Sequence, residues 1–135
     1  SGNISSFNDR TGAFGDGLGW TITSNVFEKN GLTGMSLDVS NSTISGNTLL
    51  HNNALHEASA HQILLAPGIP SMNNVIEHNR IEAESAAGFA IVWSRQSTGN
   101  RVRENTATGG AVFSFGEPPV EARGNSDSRG RYADR

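Results

Sequence analysis

Between His51 and Gln62 the chain places three histidines and a glutamate, His51, His56, Glu57 and His61, among small and polar residues. Imidazoles titrate near neutral pH and ligate metals, so such a group can move protons or hold a cation. The spacing matches neither His-Glu-x-x-His nor another ligand motif, so His56, Glu57 and His61 are candidate acid–base residues and no metal site or cofactor is expected. His61 also aligns with Met35 and Phe89 of other repeats, which gives it a structural reading as a half-buried histidine. Asp38 stands between Leu37 and Val39, so strand alternation projects its carboxylate from the middle of a sheet, where it can serve as a base. Its expected equivalents, Leu64, Val92 and Ser114, supply no second acid, which weakens any mechanism that needs two carboxyl groups. Arg95, just past Trp93, is a candidate clamp for a carboxylate ligand. Glu77 and Arg103 occupy equivalent outward positions and form either a groove floor or a solvated ion-pair ladder. The Gly15-Asp16-Gly17 turn is too short for a calcium site, and nucleophile elbows and phosphate-cradling glycine loops are absent.

These side chains need a scaffold, and a repeated phrase supplies it. Thr21-Ile22-Thr23-Ser24-Asn25, Thr43-Ile44-Ser45-Gly46-Asn47, Val75-Ile76-Glu77-His78-Asn79, Arg101-Val102-Arg103-Glu104-Asn105 and Glu121-Ala122-Arg123-Gly124-Asn125 each set an apolar residue three places before an asparagine. A unit recurring at this length marks stacked repeats. A second apolar position follows each of the first four asparagines, at Phe27, Leu49, Ile81 and Ala107. A further strand lies upstream, within Met35 to Val39, His61 to Leu65, Phe89 to Trp93 and Ala111 to Phe115, with Leu37, Ile63, Ile91 and Phe113 as its inward row. Alternation also puts Trp93, Phe89, Phe113 and Phe115 inside, leaving Trp20 as a ligand-stacking candidate. Asn41, Asn73-Asn74 and Asn100 mark corners that tolerate positive φ. No stretch holds a helical period. The expected fold is therefore all-β, a parallel β-helix of about five coils. Residues 1–16 form an irregular N-terminal cap or lead-in, 17–126 the solenoid and 127–135 a mobile polar tail.

The run from Asn41 through Ile44, Asn47 and Leu49 to Asn52, echoed by Asn74-Val75-Ile76-Glu77-His78-Asn79-Arg80-Ile81, resembles the right-handed parallel β-helix repeat of the pectin-lyase-like superfamily. That superfamily includes polysaccharide lyases, glycoside hydrolases, mannuronan epimerases and phage tailspikes. The resemblance implies that Asn25, Asn47, Asn79, Asn105 and Asn125 stack as an internal ladder, and that the chain is part of a larger polysaccharide-binding or polysaccharide-processing protein. It implies an extracellular or virion-surface setting, with a non-catalytic fibre or trimerisation module as the other role. A stacked amide both donates and accepts, so losing one ladder asparagine to leucine should cost about 1–3 kcal/mol from unmet partners.

Composition narrows the partners. Thirteen acidic residues against ten basic give a net charge of −3, so no nucleic-acid or anionic-membrane partner is expected. Apolar runs such as Ile63 to Ala66 fall far short of the roughly 20 residues of a membrane helix. Zero cysteines exclude disulfides and thiolate chemistry. The chain reads as an excised piece of a longer protein. Leu64, Val92 and the nearby Val112 break the polar-out rule on one sheet, so a neighbouring subunit, in a homotrimer of the tailspike kind, is the expected cover.

Overall fold

The computed structural model describes residues 1–135 as seventeen short β-strands and no helix. The chain winds through three sheets in turn. Sheet A holds β1 (Ile4–Ser6), β4 (Val26–Glu28), β7 (Thr48–Leu50), β10 (Arg80–Glu82), β13 (Thr106–Thr108), β16 (Ser126–Asp127) and β17 (Gly130–Arg131). Sheet B holds β2 (Ala13–Leu18), β5 (Met35–Ser40), β8 (Ile63–Leu65), β11 (Ile91–Trp93) and β14 (Ser114–Phe115). Sheet C holds β3 (Thr21–Thr23), β6 (Thr43–Ser45), β9 (Val75–Glu77), β12 (Arg101–Arg103) and β15 (Glu121–Arg123). Every neighbouring pair is parallel except β16 with β17. The fold is a parallel β-helix of about six turns, one more than the repeat phrase alone reveals, because β1 opens a turn without that phrase.

The repeat phrase forms sheet C with the expected register, stacking Ile22, Ile44, Ile76, Val102 and Ala122 inside. The ladder asparagine then turns the chain into sheet A, where Phe27, Leu49, Ile81 and Ala107 form the next inward row. Each turn is made by a residue at positive φ just before the asparagine: Ser24, Gly46, His78, Glu104 and Gly124, with φ between 51° and 62°. Asn25, Asn47, Asn79 and Asn105 each donate their backbone N–H and side-chain Nδ2 to Oδ1 of the asparagine one coil on. Asn3 starts the same column by donating to Asn25. The ladder thus gives the backbone N–H of each of these asparagines a partner inside the turn.

Two more columns stand at the other corners. Asn8 donates to Asn30 and Asn30 to Asn52, which closes on Gln62. Ser42 donates to Asn74 and Asn74 to Asn100. Asn100 is therefore a ladder residue, with Gly99 taking the positive φ at that corner.

Sheet B corrects the expected register by two residues. Met35 pairs with Ile63 and Leu37 with Leu65, so one inward column runs through Ala13, Met35, Ile63 and Ile91 and the next through Gly15, Leu37 and Leu65. A shift of two preserves which side chains face inward and changes only which ones meet. The shift takes Asp38 out of the row of Leu64, Val92 and Ser114, and the pairing of β2 with β5 sets Asp16 opposite it. His61 falls beside Thr33, whose Oγ1 accepts its N–H, and not beside Met35. Trp93 and Phe113 are buried as expected and Phe115 is half-buried, whereas Phe89 is 36% exposed, because it sits before β11 begins.

Both ends also differ from expectation. Residues 1–16 are not an irregular cap: β1 pairs with β4 and β2 with β5 in full parallel register. The tail from 127 to 135 folds back over the last coil. Ser126 and Asp127 pair with Arg131 and Gly130, Arg135 and Ala122 exchange two backbone hydrogen bonds, and Tyr132 meets Phe113 and Phe115 edge-on at 6.0 and 5.4 Å. Burial pushes the Asp127 carboxyl up, but hydrogen bonds from the Arg129 guanidinium and from the Phe113 and Arg129 N–H groups outweigh it and hold the group below the usual carboxylate range.

Candidate functional site

On the outer side of sheet B, alternation lines up Phe14, Ser36, Leu64, Val92 and Ser114, one from each strand. With strands about 4.8 Å apart the row extends about 19 Å along the solenoid. Phe14 is 76% exposed at its first position, and Leu64 and Val92 are half-buried. Val112 stands beside this row, pairing through its carbonyl with Ala90 N–H. The longest connections of the chain flank the row, 51–62 entering β8 and 66–74 leaving it. Connections on a rigid support are where binding residues concentrate.

Beside the row, Asp16 and Asp38 project from paired positions on β2 and β5. Asp38 Oδ1 accepts the N–H groups of Gly68 and Ile69, both at 3.0 Å, and so pins the following loop against the sheet. Its other oxygen makes no hydrogen bond within the chain. Arg95, on the loop after β11, is exposed and forms neither an ion pair nor a side-chain hydrogen bond.

The connection 51–62 is organised by Asn53, whose Nδ2 lies within 2.8 to 3.1 Å of the carbonyls of Glu57, Ala60 and Ala87. The histidines take separate partners. His56 Nδ1 lies 3.1 Å from Ser85 Oγ, and His51 sits between Glu82 and Glu84 at 3.5 and 3.8 Å. His61 Nδ1 accepts the Phe89 N–H at 3.0 Å while its ring stacks on Phe89 at 5.5 Å. Glu57 is exposed on the same loop. The candidate acid–base residues therefore fall into two places, Asp38 on the sheet and His56, Glu57 and His61 on the neighbouring loop.

Burial lowers the His61 pKa below its ordinary value. The unfolded chain then binds more protons than the folded one between the two values, so stability is fully present above about pH 6.5 and is lost as pH falls through the folded value. The melting temperature should fall between pH 7.5 and pH 5, and His61→Asn, which keeps an acceptor for Phe89 N–H, should make that fall smaller. An unchanged fall in the variant would show that His61 is not the group responsible.

Glu77 and Arg103 are register partners on sheet C, 3.6 Å apart. Arg103 is also bidentate with Glu121 at 2.9 and 2.8 Å, and Arg101 lies 3.7 Å from the same carboxylate. The Arg103 hydrogen bond holds the Glu121 carboxyl below its usual value. Because these charges already satisfy one another, sheet C offers a ligand less than sheet B does. Asp16, Ser85, Glu82 and Glu84 were missed in the sequence. Asp16 was hidden because the strand 13–18 that carries it shows no hydrophobic period, and the others meet their histidines only through coil stacking.

A family model described as a right handed beta helix region matches residues 1–107. No curated protein and no solved structure matches the chain.

Proposed function

Starting from this chain's membership of the right-handed β-helix family, we propose that it is a carbohydrate-associated module of pectin-lyase-like type that holds a polysaccharide along the outer face of sheet B. The observation that carries this reading is the straight row from Phe14 to Ser114, flanked by Asp16 and Asp38 and by the longest connections. Phe14 offers an exposed ring for sugar stacking. Arg95 offers a guanidinium with no other partner, suited to bidentate capture of a sugar carboxylate. The Asp38 oxygen without a hydrogen bond within the chain can take a proton, which a lyase or epimerase needs. Two carboxyl groups at adjacent strands suit a hydrolase instead. Such a module serves within a larger protein at the cell exterior or virion surface.

The test is a panel of acidic polysaccharides incubated with the purified chain, read for unsaturated products and for new reducing ends, with affinity electrophoresis for binding. Phe14→Ala and Arg95→Ala should weaken binding at least tenfold, and Asp38→Asn should abolish turnover if the module is catalytic. Retention of no polysaccharide by the intact chain removes the proposal.

A second reading rests on Leu64 and Val92 being register neighbours, half-buried on the outer face between Ser36 and Ser114. With Val112 they form a lateral stripe for a homotrimer, the fibre-module alternative. Sedimentation as a trimer that Val92→Asp converts to a monomer supports this reading, and a monomeric intact chain rejects it.

A further inference from the structure

Between β10 and β11 the chain runs Ala83-Glu84-Ser85-Ala86-Ala87-Gly88-Phe89-Ala90. Residues 84–88 make no backbone–backbone hydrogen bond, so side chains of the preceding coil fasten them. Glu84 lies 3.8 Å from His51 Nδ1, and Ser85 Oγ lies 3.1 Å from His56 Nδ1. Ala87 O accepts from Asn53 Nδ2 at 3.1 Å, and Phe89 N–H donates to His61 Nδ1 at 3.0 Å. Three of the chain's four histidines thus stand along one strap, residues 84–89. Gly88, at φ 76°, lets the strap lie so close to connection 51–62 that an added Cβ would fall 1.8 Å from Ala60 O.

The three imidazoles answer a proton differently. A neutral ring has one N–H and one acceptor nitrogen, whereas a protonated ring has two N–H groups and no acceptor. His61 Nδ1 accepts the Phe89 N–H, so a proton added there sets N–H against N–H and breaks the tie. His56 keeps its partner in either state, because the Ser85 hydroxyl both donates and accepts. His51 gains, since Nε2 and Nδ1 face the Glu82 and Glu84 carboxylates at 3.5 and 3.8 Å and only a protonated ring has an N–H for each. The Asn53 tie is the weak one, because two N–H bonds serve the carbonyls of Glu57, Ala60 and Ala87. Other charges stand aside. His61 forms no ion pair with its own connection, with residues 29–34 or with the strap, and Glu57 forms none at all. Lys29 reaches over the Phe7 ring at 5.4 Å, and Arg80 pairs with Glu82 at 2.9 Å.

We propose that residues 84–89 form a proton-operated strap: a proton on His61 frees the Gly88–Phe89 end, while the Glu84 end stays tied to His51. Burial holds the His61 pKa below its ordinary value. The closed strap is therefore favoured while the ring is neutral and is lost as pH falls through that lowered value, on the acid side of neutrality. Release stops at β11, because Phe89 O still accepts the Gln62 N–H and Ala90 N–H still donates to Val112 O. It uncovers Asn53 and Ala60, which are 4% and 3% exposed beneath the strap, and with them the underside of the connection that carries His56 and Glu57. Local opening of this kind draws on segments with few backbone hydrogen bonds. None of the ties involves the outer row of sheet B, so the strap operates whether or not that row holds a polysaccharide.

The experiment is nuclear magnetic resonance of the intact protein titrated from pH 7.5 to pH 4.5. His61 protonation is read from its ring nitrogens, and the strap from backbone relaxation and from amide exchange corrected for the intrinsic pH dependence. As His61 gains its proton, Phe89 N–H should lose about tenfold or more of its exchange protection. Residues 86–88 should become mobile on the nanosecond timescale, while Glu82, Ile91 and Ile44 stay ordered. His61→Asn keeps an acceptor that does not titrate, so its strap should stay closed at pH 4.5. His51→Gln should carry the mobility on to Glu84 at that pH. A strap that stays ordered once His61 is protonated, or one that loosens while the ring is neutral or in His61→Asn, overturns the proposal. So does a ring still neutral at pH 4.5. Loss of protection at Ile44 in step with Phe89 also overturns it, as general acid unfolding, and that comparison needs only the unmutated chain if a variant does not fold. An unaltered Glu84 in His51→Gln removes the fixed end and overturns the hinged release.

Discussion

Replacement of Asn79 by leucine should lower the unfolding free energy by about 3 kcal/mol, the upper end of the cost of an unmet buried group, because several buried groups depend on this side chain. Its Oδ1 accepts from Asn47 N and Nδ2 at 3.0 and 3.1 Å, and its Nδ2 donates to Ile44 O and Asn105 Oδ1, both at 2.9 Å. Leucine fills the space but removes the acceptor of two Asn47 donors and the donor to Ile44 O, and leaves Asn105 Oδ1 only the backbone N–H of residue 79, in a site that is 1% exposed. Against the 5–15 kcal/mol of an ordinary domain this is a large share. Asn79→Asp separates hydrogen bonding from packing. Its two oxygens can still accept from Asn47, but only a protonated carboxyl can donate toward Ile44 or Asn105. Burial raises its pKa in the folded state, so its stability should be greatest below the unfolded pKa near 4 and decline as pH rises through the folded value. Urea unfolding at pH 5 and pH 8 reads both effects. A loss under 1 kcal/mol for Asn79→Leu would mean that the column tolerates orphaned groups.

Trp93→Ala is the second large change, expected to cost about 3–5 kcal/mol. Trp93 is buried in the last third of the solenoid, stacked on Phe115 with ring centroids 4.1 Å apart and donating Nε1–H to Glu117 O at 2.7 Å. Removal opens a cavity beneath the tail, whose Tyr132 leans on the same aromatic group. Trp93→Phe keeps a ring in the column and loses the indole donor, so it should cost only about 0.5–1.5 kcal/mol for that bond, besides any packing change. Equal losses for the two variants would assign the stability to the Glu117 hydrogen bond and not to packing.

The column containing Asn79 was legible because its asparagine recurs at one place in each phrase, three residues after an apolar one. The same logic found the inner rows of sheets A and C. It misplaced sheet B by two residues, since Met35, Leu37 and Val39 are interchangeable to an alternation rule and only stacking decides which meets Ile63. Asp16 escaped separately, because β2, which sets it beside Asp38, was not legible as a strand. The columns through Asn30 and Asn74 were also missed, since their serine, glutamine and irregular spacing give no uniform phrase. Residues 1–16 read as irregular because small inward residues, Ser5, Ala13, Gly15 and Gly17, carry no hydrophobic period. The tail read as mobile because its anchors are backbone groups, together with Asp127 and one tyrosine.

The column from Asn3 to Asn125 has a direction as well as a length. Its carboxamides all point the same way, so their dipoles add head to tail and each bond polarises the next. Severing such a row at its centre should therefore harm more than shortening it at an end, even where the local contacts match. It also gives the solenoid a net electrical axis, with carbonyl oxygens presented at the Asn3 pole and the opposite sense at the Asn125 pole.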